Sequence, residues 1–584
     1  MSLSTPTAYW PLRSTPQSFS ELRVGLIVLA TSFASQWFFR RYEPRSSLSR
    51  VALLVVIPAL LSFPISYTHA VSWYAALPLA FIAYGGSLGA FILAYRLSPF
   101  HPLAKFPGPL IAKTSKLWAA YVSFRGDQHR YYKRLHDLYG DVVPTSSLFV
   151  MLPLFTPYLA KGAFLKDHAG IGGLVPPALI AQRDPVKHAH QRKPWNRALS
   201  SVALKEYEAI VAKRTRQLAS CLENLVHRSG HKDGTALDMA AWFSYFATDF
   251  MGDMAFGGGF ELMNAGGDKD GIWTFLESGL RIGVAVGHVS YFTPFLSALT
   301  GQKGSIQVSR DFGRESVFKR LQAGANRKDL FYHLSGEELP ESERPSVVDV
   351  AQDGLLAIIA GSDTTSSSLT GTIYYLLLNP TAYDRLQKEV DSAFPNGEEP
   401  LDVVKLSQME WLNGCINETL RLLPAVPSGS QRSVLKGKGT KVLGRLYVGT
   451  TVYAIARFSL TIFGVHTRRV LPEETQLFLH TYSIHRDERN FHNPEAFLPE
   501  RWFSKGAPAG EHNATAFIPF SYGPTICAGK NLALMEMRMV LCWLLQRFRF
   551  SKVPGVAYEE WEGKIQDWFV THVEPLSVNV SIRV

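Results

Sequence analysis

FSYGPTICAGKNL, Phe520–Leu532, sets one cysteine in a loop of aromatic, glycine and proline residues, just ahead of an apolar-periodic segment running from Asn531 to Phe548. Gly523 and Pro524 force a turn that exposes the backbone, and Gly529 allows close approach on the far side. A helix starting near Lys530 would direct its positive dipole end at the Cys527 sulfur. These features favour a thiolate, and a thiolate is a metal ligand. The bland alternative is a packed, inert thiol.

The other cysteines narrow the choice. Cys221, Cys415 and Cys542 stand too far from Cys527 for a zinc pattern or a dense disulfide framework. A metal at Cys527 must therefore bring its other ligands with it, as haem iron does when cysteine is its single protein ligand on one axial side.

Upstream, DVAQDGLLAIIAGSDTTSSSLTGTIYYLLLNP, residues 349–380, is apolar on nearly all sides at both ends and is stopped by Asn379 and Pro380. It reads as a helix through the protein centre. Its middle is unusual for such a helix, because Ala360, Gly361, Ser362, Asp363, Thr364 and Thr365 combine weak helix formers with hydroxyls and a carboxylate. Gly361 would let a ligand approach the backbone, and Thr364 would hydrogen-bond the Ala360 carbonyl or a small ligand. A polar kink facing water is the alternative. Glu418 and Arg421 share one face of an amphipathic helix, and Arg501 in PERW could join them in a partly buried charge network.

The first hundred residues hold three apolar runs, Val24 to Phe39, Val51 to Tyr67 and Val71 to Tyr95. They also carry seven Arg against two Glu, nearly half of the net charge of +11. Basic charge flanking apolar runs suits a membrane surface and not a nucleic-acid groove. Arg40, Arg41, Arg45 and Arg50 separate the first two runs, and Arg96, Lys105 and Lys113 follow the third, so the positive-inside rule places the body in the cytosol. A transporter or receptor is disfavoured, since residues 51–95 contain no Asp, Glu, Lys or Arg. The organisation expected is a membrane region over 1–98, a proline-rich hinge, and one domain over 99–584 that is mainly α with small β-sheets. Long helices are expected over Ser200 to Arg228, Val347 to Leu378, Thr381 to Phe394, Met409 to Leu423 and Asn531 to Phe548, with strands at Gln476 to Tyr482 and Leu576 to Ile582.

AGSDTT, the Glu418/Arg421 pair, PERW and the cysteine loop occur in the order in which they occur in the cytochrome P-450 family of haem-thiolate monooxygenases, and the resemblance to that family covers roughly residues 99–584. The resemblance implies haem b held through Cys527 and flanked by Phe520, Gly523, Thr525, Gly529, Ala360 and Gly361. It implies that Asp363 and Thr364 form a proton-delivering pair, and that Glu418, Arg421 and Arg501 are a folding triad. His188 and Arg192 in RDPVKHAHQRKPWNRALS, with Arg432, match residues that hold the haem propionates. It further implies hydroxylation or oxidation of a lipophilic secondary metabolite or xenobiotic, with dioxygen and NADPH. Electrons would come from an NADPH-cytochrome reductase, with cytochrome b5 as an optional donor, at the endoplasmic reticulum membrane. A haem-dependent isomerase or dehydratase of the same fold is the rival, and the Asp363/Thr364 pair argues against it.

Two departures stand out. Thr525 occupies the place where the family's cysteine loop usually has Arg, which removes one propionate partner. The interval from Arg421 to Arg501 is longer than the family's, and Tyr447 to Arg468, YVGTTVYAIARFSLTIFGVHTR, reads as inserted, either as a translated intron that would leave an inactive chain or as a true surface insertion.

Overall fold

The computed structural model describes residues 17–41, 47–101, 104, 106–140, 143–146, 149–152, 159–161, 178–182, 184–231, 233–269, 271–288, 303–324, 327–434, 440–442, 446–448, 469–471, 476–503 and 512–583. The chain divides into two compact units, Met1–Lys105 and Phe106–Val584.

In the first unit three helices, α1 (Gln17–Arg41), α2 (Ile57–His69, entered through one π-helical turn at Ala52–Val56) and α3 (Trp73–Leu97), contain spans long and apolar enough to cross a membrane: Glu21–Arg40, Ala52–His69 and Trp73–Leu97. Ala76 and Ala80, one turn apart on α3, are fully buried against Val24, Val28, Leu61 and Ile65, because small side chains let helix backbones close together. Tyr84 adds polar ties: its hydroxyl donates to Ser35 Oγ (2.8 Å) and to the Leu53 carbonyl (2.9 Å), while Ser32 Oγ donates to the Tyr84 carbonyl.

The second unit is mostly helical. Its axis is α4 (Val347–Leu378), 32 residues capped by Ser346, whose hydroxyl accepts from the Asp349 N–H, and followed at once by α5 (Pro380–Ala393). The polar middle of α4 does not face water. Ser362, Thr365, Ser366, Ser367, Ser368, Thr370 and Thr372 are buried, and most satisfy their hydroxyls on carbonyls three or four residues back, as Thr370 does on Ser366 and Thr372 on Ser368 (both 2.8 Å). Gly361 serves packing: a Cβ there would lie 2.5 Å from Met251 Sδ on the neighbouring helix Met239–Phe256. Its close approach is thus to protein, and only the rest of its surface borders a cavity.

The other expected helices form at Ser201–Ser229, Glu410–Leu422 and Lys530–Arg547. Thirteen strands occur among the described residues. Val143–Ser146 (β1), Phe149–Leu152 (β2), Leu159–Lys161 (β3), Gln431–Val434 (β5) and Gln476–Leu479 (β9) form one sheet in the order β1-β2-β9-β5-β3, in which β2 and β9 run parallel. Thr235–Asp238 (β4), Phe548–Ser551 (β10) and Ser577–Ile582 (β13) form a second sheet, and Gln566–Trp568 (β11) pairs with Val570–His572 (β12) as a hairpin. Thr440–Val442 (β6), Leu446–Val448 (β7) and Arg469–Leu471 (β8) form a third sheet. The strand expected over Gln476 to Tyr482 ends at Leu479, because the His480 side chain accepts from the Ser483 N–H and caps a short helix, Thr481–His485. Most of the suspected insertion, residues 449–468, lies outside the described residues.

Candidate active site

The cysteine loop is tied to itself before it meets anything else. Ser521 and Gly523 take left-handed backbone angles (φ 61° and 73°), the Ile526 N–H donates to the Gly523 carbonyl (3.0 Å), and the Cys527 N–H donates back to Phe520 (2.9 Å). Arg192, from the helix Pro185–Ala198, donates through Nη1 to the Ile526 carbonyl (2.8 Å) and through Nε to Asn196 Oδ1 (2.9 Å).

This loop and α4 both line a cavity of about 490 Å³. Cys527, Phe520, Thr525 and Gly529 contribute to its lining from the loop, Ala360, Gly361 and Thr364 from α4, and Arg192 from the helix Pro185–Ala198. Thr364 Oγ1 donates to the Ala360 carbonyl (2.7 Å), as expected. Asp363 lies elsewhere. Successive helical residues point about 100° apart, so Asp363 lines a second, polar cavity of about 300 Å³ together with Asp268, Ser366, Ser367 and His572. His188 is buried one turn before Arg192 and is not among the side chains lining the larger cavity; Trp195, nearly one turn after Arg192, is. Gly523 shapes the turn without reaching the cavity. Arg432 belongs to β5, and its side chain lies outside the described residues.

The sulfur of Cys527 is accessible from the cavity yet enclosed by protein, and burial raises its thiol above the ordinary value. The Gly529 and Lys530 N–H groups and the Arg192 guanidinium pull the other way without prevailing, so against the expectation that the turn, Gly529 and the helix start together favour the thiolate, burial outweighs them in the protein without a bound metal. The donor set nevertheless fits haem. It offers a single sulfur facing a roomy cavity with positive backbone and guanidinium groups beside it, and no group of three His, Cys, Asp or Glu able to hold another metal occurs among the described residues.

Behind the cysteine the charge network is complete. Glu418, Arg421 and Arg501 are all fully buried. The Glu418 carboxylate accepts from Arg421 Nε (3.0 Å) and Nη2 (2.8 Å), Arg501 Nε (3.1 Å), the Leu498 N–H (3.0 Å) and Trp502 Nε1 (3.0 Å). Arg421 also donates to the carbonyls of His485 and Pro494, and the neutral His485 ring receives the Ile518 N–H at Nε2 (3.0 Å), linking the network to the segment entering the cysteine loop.

Sequence reasoning missed Glu536. It is 1% exposed, lines the larger cavity, has no hydrogen-bond partner at Oε2 among the described residues, and burial holds its carboxyl well above the usual range. The signal was present: Leu532, Ala533, Glu536, Met537 and Val540 share one helical face.

Comparison with known proteins agrees with this geometry. The family model "Cytochrome P450" matches residues 175–457 and 451–580, and the match breaks inside the stretch read as inserted. The chain is 32% identical to cytochrome P450 monooxygenase orf5 of Eupenicillium brefeldianum over 84% of this chain and 94% of that protein. It is 30% identical to cytochrome P450 monooxygenase FCK2 of Fusarium pseudograminearum over 83% of each chain. It is 29% identical to cytochrome P450 monooxygenase phqL of Penicillium fellutanum over 98% of this chain and 97% of that protein.

Proposed function

The chain belongs to the cytochrome P450 family, and from that premise we propose that it is a membrane-anchored monooxygenase acting on a lipophilic small molecule. One atom of dioxygen enters a C–H bond of the substrate, and the other leaves as water. Two electrons from NADPH, passed through a flavoprotein reductase, and two protons complete the balance. The observation that supports this reading is that Cys527 and Thr364 line one and the same cavity.

Cysteine-ligated haem supplies the activation of dioxygen when bound. The chain's own part is to hold, exclude and deliver. Cys527 would hold the haem iron through its sulfur, and the Gly529 and Lys530 N–H groups would temper the charge on it. Arg192 would pair with a haem propionate, while its bond to Ile526 steadies the loop. Asp363 collects protons from the polar cavity on its side of α4, and Thr364 Oγ1 passes a proton on the other side. Leu179, Val284, Leu356, Val426 and Phe569 keep water from the substrate. A substrate dissolved in the bilayer is consistent with the three apolar spans, with the body on the cytosolic side of the endoplasmic reticulum.

The test is the absorption spectrum of the reduced, purified chain under carbon monoxide. A strongly red-shifted Soret band that is lost in Cys527→Ala supports the assignment. Absence of bound haem in the parent chain overturns it.

A further inference from the structure

The larger cavity is walled in part by two segments distant in sequence: the turn 424–429 that follows Glu410–Leu422, and the tip of the β11–β12 hairpin. Phe569 is the single residue between Trp568 and Val570, which pair with each other, and it is held at φ +74°. That is a costly backbone state for a bulky L-residue, kept where the surroundings over-determine it. The same hairpin turns its other side, through Trp568, Thr571 and His572, to the smaller cavity.

What over-determines it is a compact set of bonds around Asp567, which is fully buried. Its Oδ1 accepts from the Phe569 N–H (3.1 Å), Ser428 Oγ donates to its Oδ2, and its own N–H donates to the Gly126 carbonyl (2.8 Å). Four residues on, Thr571 repeats the connection, with its N–H on the Ala425 carbonyl (2.9 Å) and Oγ1 on the Pro424 carbonyl (2.8 Å). A Cβ at Gly126 would stand 2.7 Å from Gln566 Cβ, so the hairpin's base is also pressed against the chain. No cation among the described residues is bonded to Asp567, and burial pushes its carboxyl up to about 6. A carboxyl kept in such a place serves geometry, since a buried acceptor is expensive unless its bonds are made.

We infer that Asp567 is a positioning residue that fixes the 424–429 turn and Phe569 into one cavity wall, and thereby sets which bulky apolar molecules the cavity admits. This rests on the proposed haem-thiolate reading of the cavity. The Asp567 side chain does not itself border the cavity; it acts through Phe569 and Ser428.

The full-length holoprotein in detergent should be titrated with two iron-binding azoles, imidazole and clotrimazole, read by the Soret shift. Imidazole needs only the iron, whereas clotrimazole must also fit the wall. Asp567→Ala and Ser428→Ala should weaken clotrimazole at least fivefold and leave imidazole within twofold. Phe569→Ala should reproduce the loss, and Asp567→Ala/Phe569→Ala should be no worse than Phe569→Ala, because residues acting through one another are not additive. Equal losses for both azoles, an unchanged clotrimazole constant, or additive losses in the double variant would each overturn the inference. Ser428→Ala deletes one hydroxyl and keeps the test available if Asp567→Ala loses its haem. No Soret shift in the parent with either azole would instead sink the haem reading, and this inference with it.

Discussion

Replacing Glu418 by Gln keeps the shape of the side chain and removes its charge. In the parent, one carboxylate accepts five hydrogen bonds and is the anion between two guanidinium groups that have no solvent exposure. A carboxamide accepts only at its oxygen, and its NH₂ would point at donors. Arg421 and Arg501 would keep their bonds to the carbonyls of His485, Pro494 and His492 but would be buried cations without a counter-charge. Breaking such a pair costs about 3–5 kcal/mol, a large share of the roughly 5–15 kcal/mol by which folded chains are stable. The expected result is a fall in melting temperature of about 3–5 °C, small because the unfolding entropy of so large a unit is high, and a smaller fraction of chain carrying haem, since the network reaches the cysteine loop through His485 and Ile518. Glu500 is the internal control: it pairs with Arg385 at 3.3 Å in a half-exposed position, and Glu500→Gln should cost under about 1 kcal/mol. Circular-dichroism melts and carbon-monoxide spectra at matched protein concentration make the comparison. A Glu418→Gln chain no less stable than Glu500→Gln would refute the reasoning.

Three other outcomes are expected. Gly361→Ala should lower stability by about 1–3 kcal/mol through its collision with Met251, and Met251→Ala should relieve part of that in the double variant, which denaturant titration will read. Thr525→Arg should slow haem loss to an apo-acceptor by adding a cation at the cavity edge, and equal loss rates in the two proteins would show that the missing contact is immaterial. Burial, aided by Arg421, holds His485 down to about 3, below its unfolded value near 6.5, so the neutral ring stabilises fully above pH 6.5 and progressively less as pH falls toward 3. His485→Gln should flatten the acid limb of the stability curve by about 1.4 kcal/mol per pH unit between pH 6 and 4, and an unchanged slope would show that another group controls it.

Helix limits were the most legible part of the fold, because Asn379 and Pro380, Gly230 after Ser229, and the apolar periodicities are local signals. The site was legible where a motif is contiguous, as in the cysteine loop and the Glu418/Arg421 pair. It was illegible where partners come from distant segments. Asp567 is an ordinary acid in IQDWFV until Ser428 and Gly126 arrive beside it, and nothing near it in sequence says that the turn will close on both. His480 was read as part of a strand because apolar alternation outweighs a side-chain cap that becomes visible only once the chain turns. Asp363 and Thr364 were read as one pair because adjacency in sequence hides the rotation between them.

That rotation makes the long helix a bulkhead. Positions 360, 361, 364, 365 and 368 border the larger chamber, and 363, 366 and 367 border the smaller one. A saturation scan along this helix should therefore give two interleaved phenotypes repeating with each helical turn. One set would change which compounds are consumed. The other would leave that spectrum intact and squander reducing equivalents as hydrogen peroxide, so substrate range and thrift with electrons can diversify apart along this helix except at Thr364, whose hydroxyl faces the larger chamber and is the proposed proton donor.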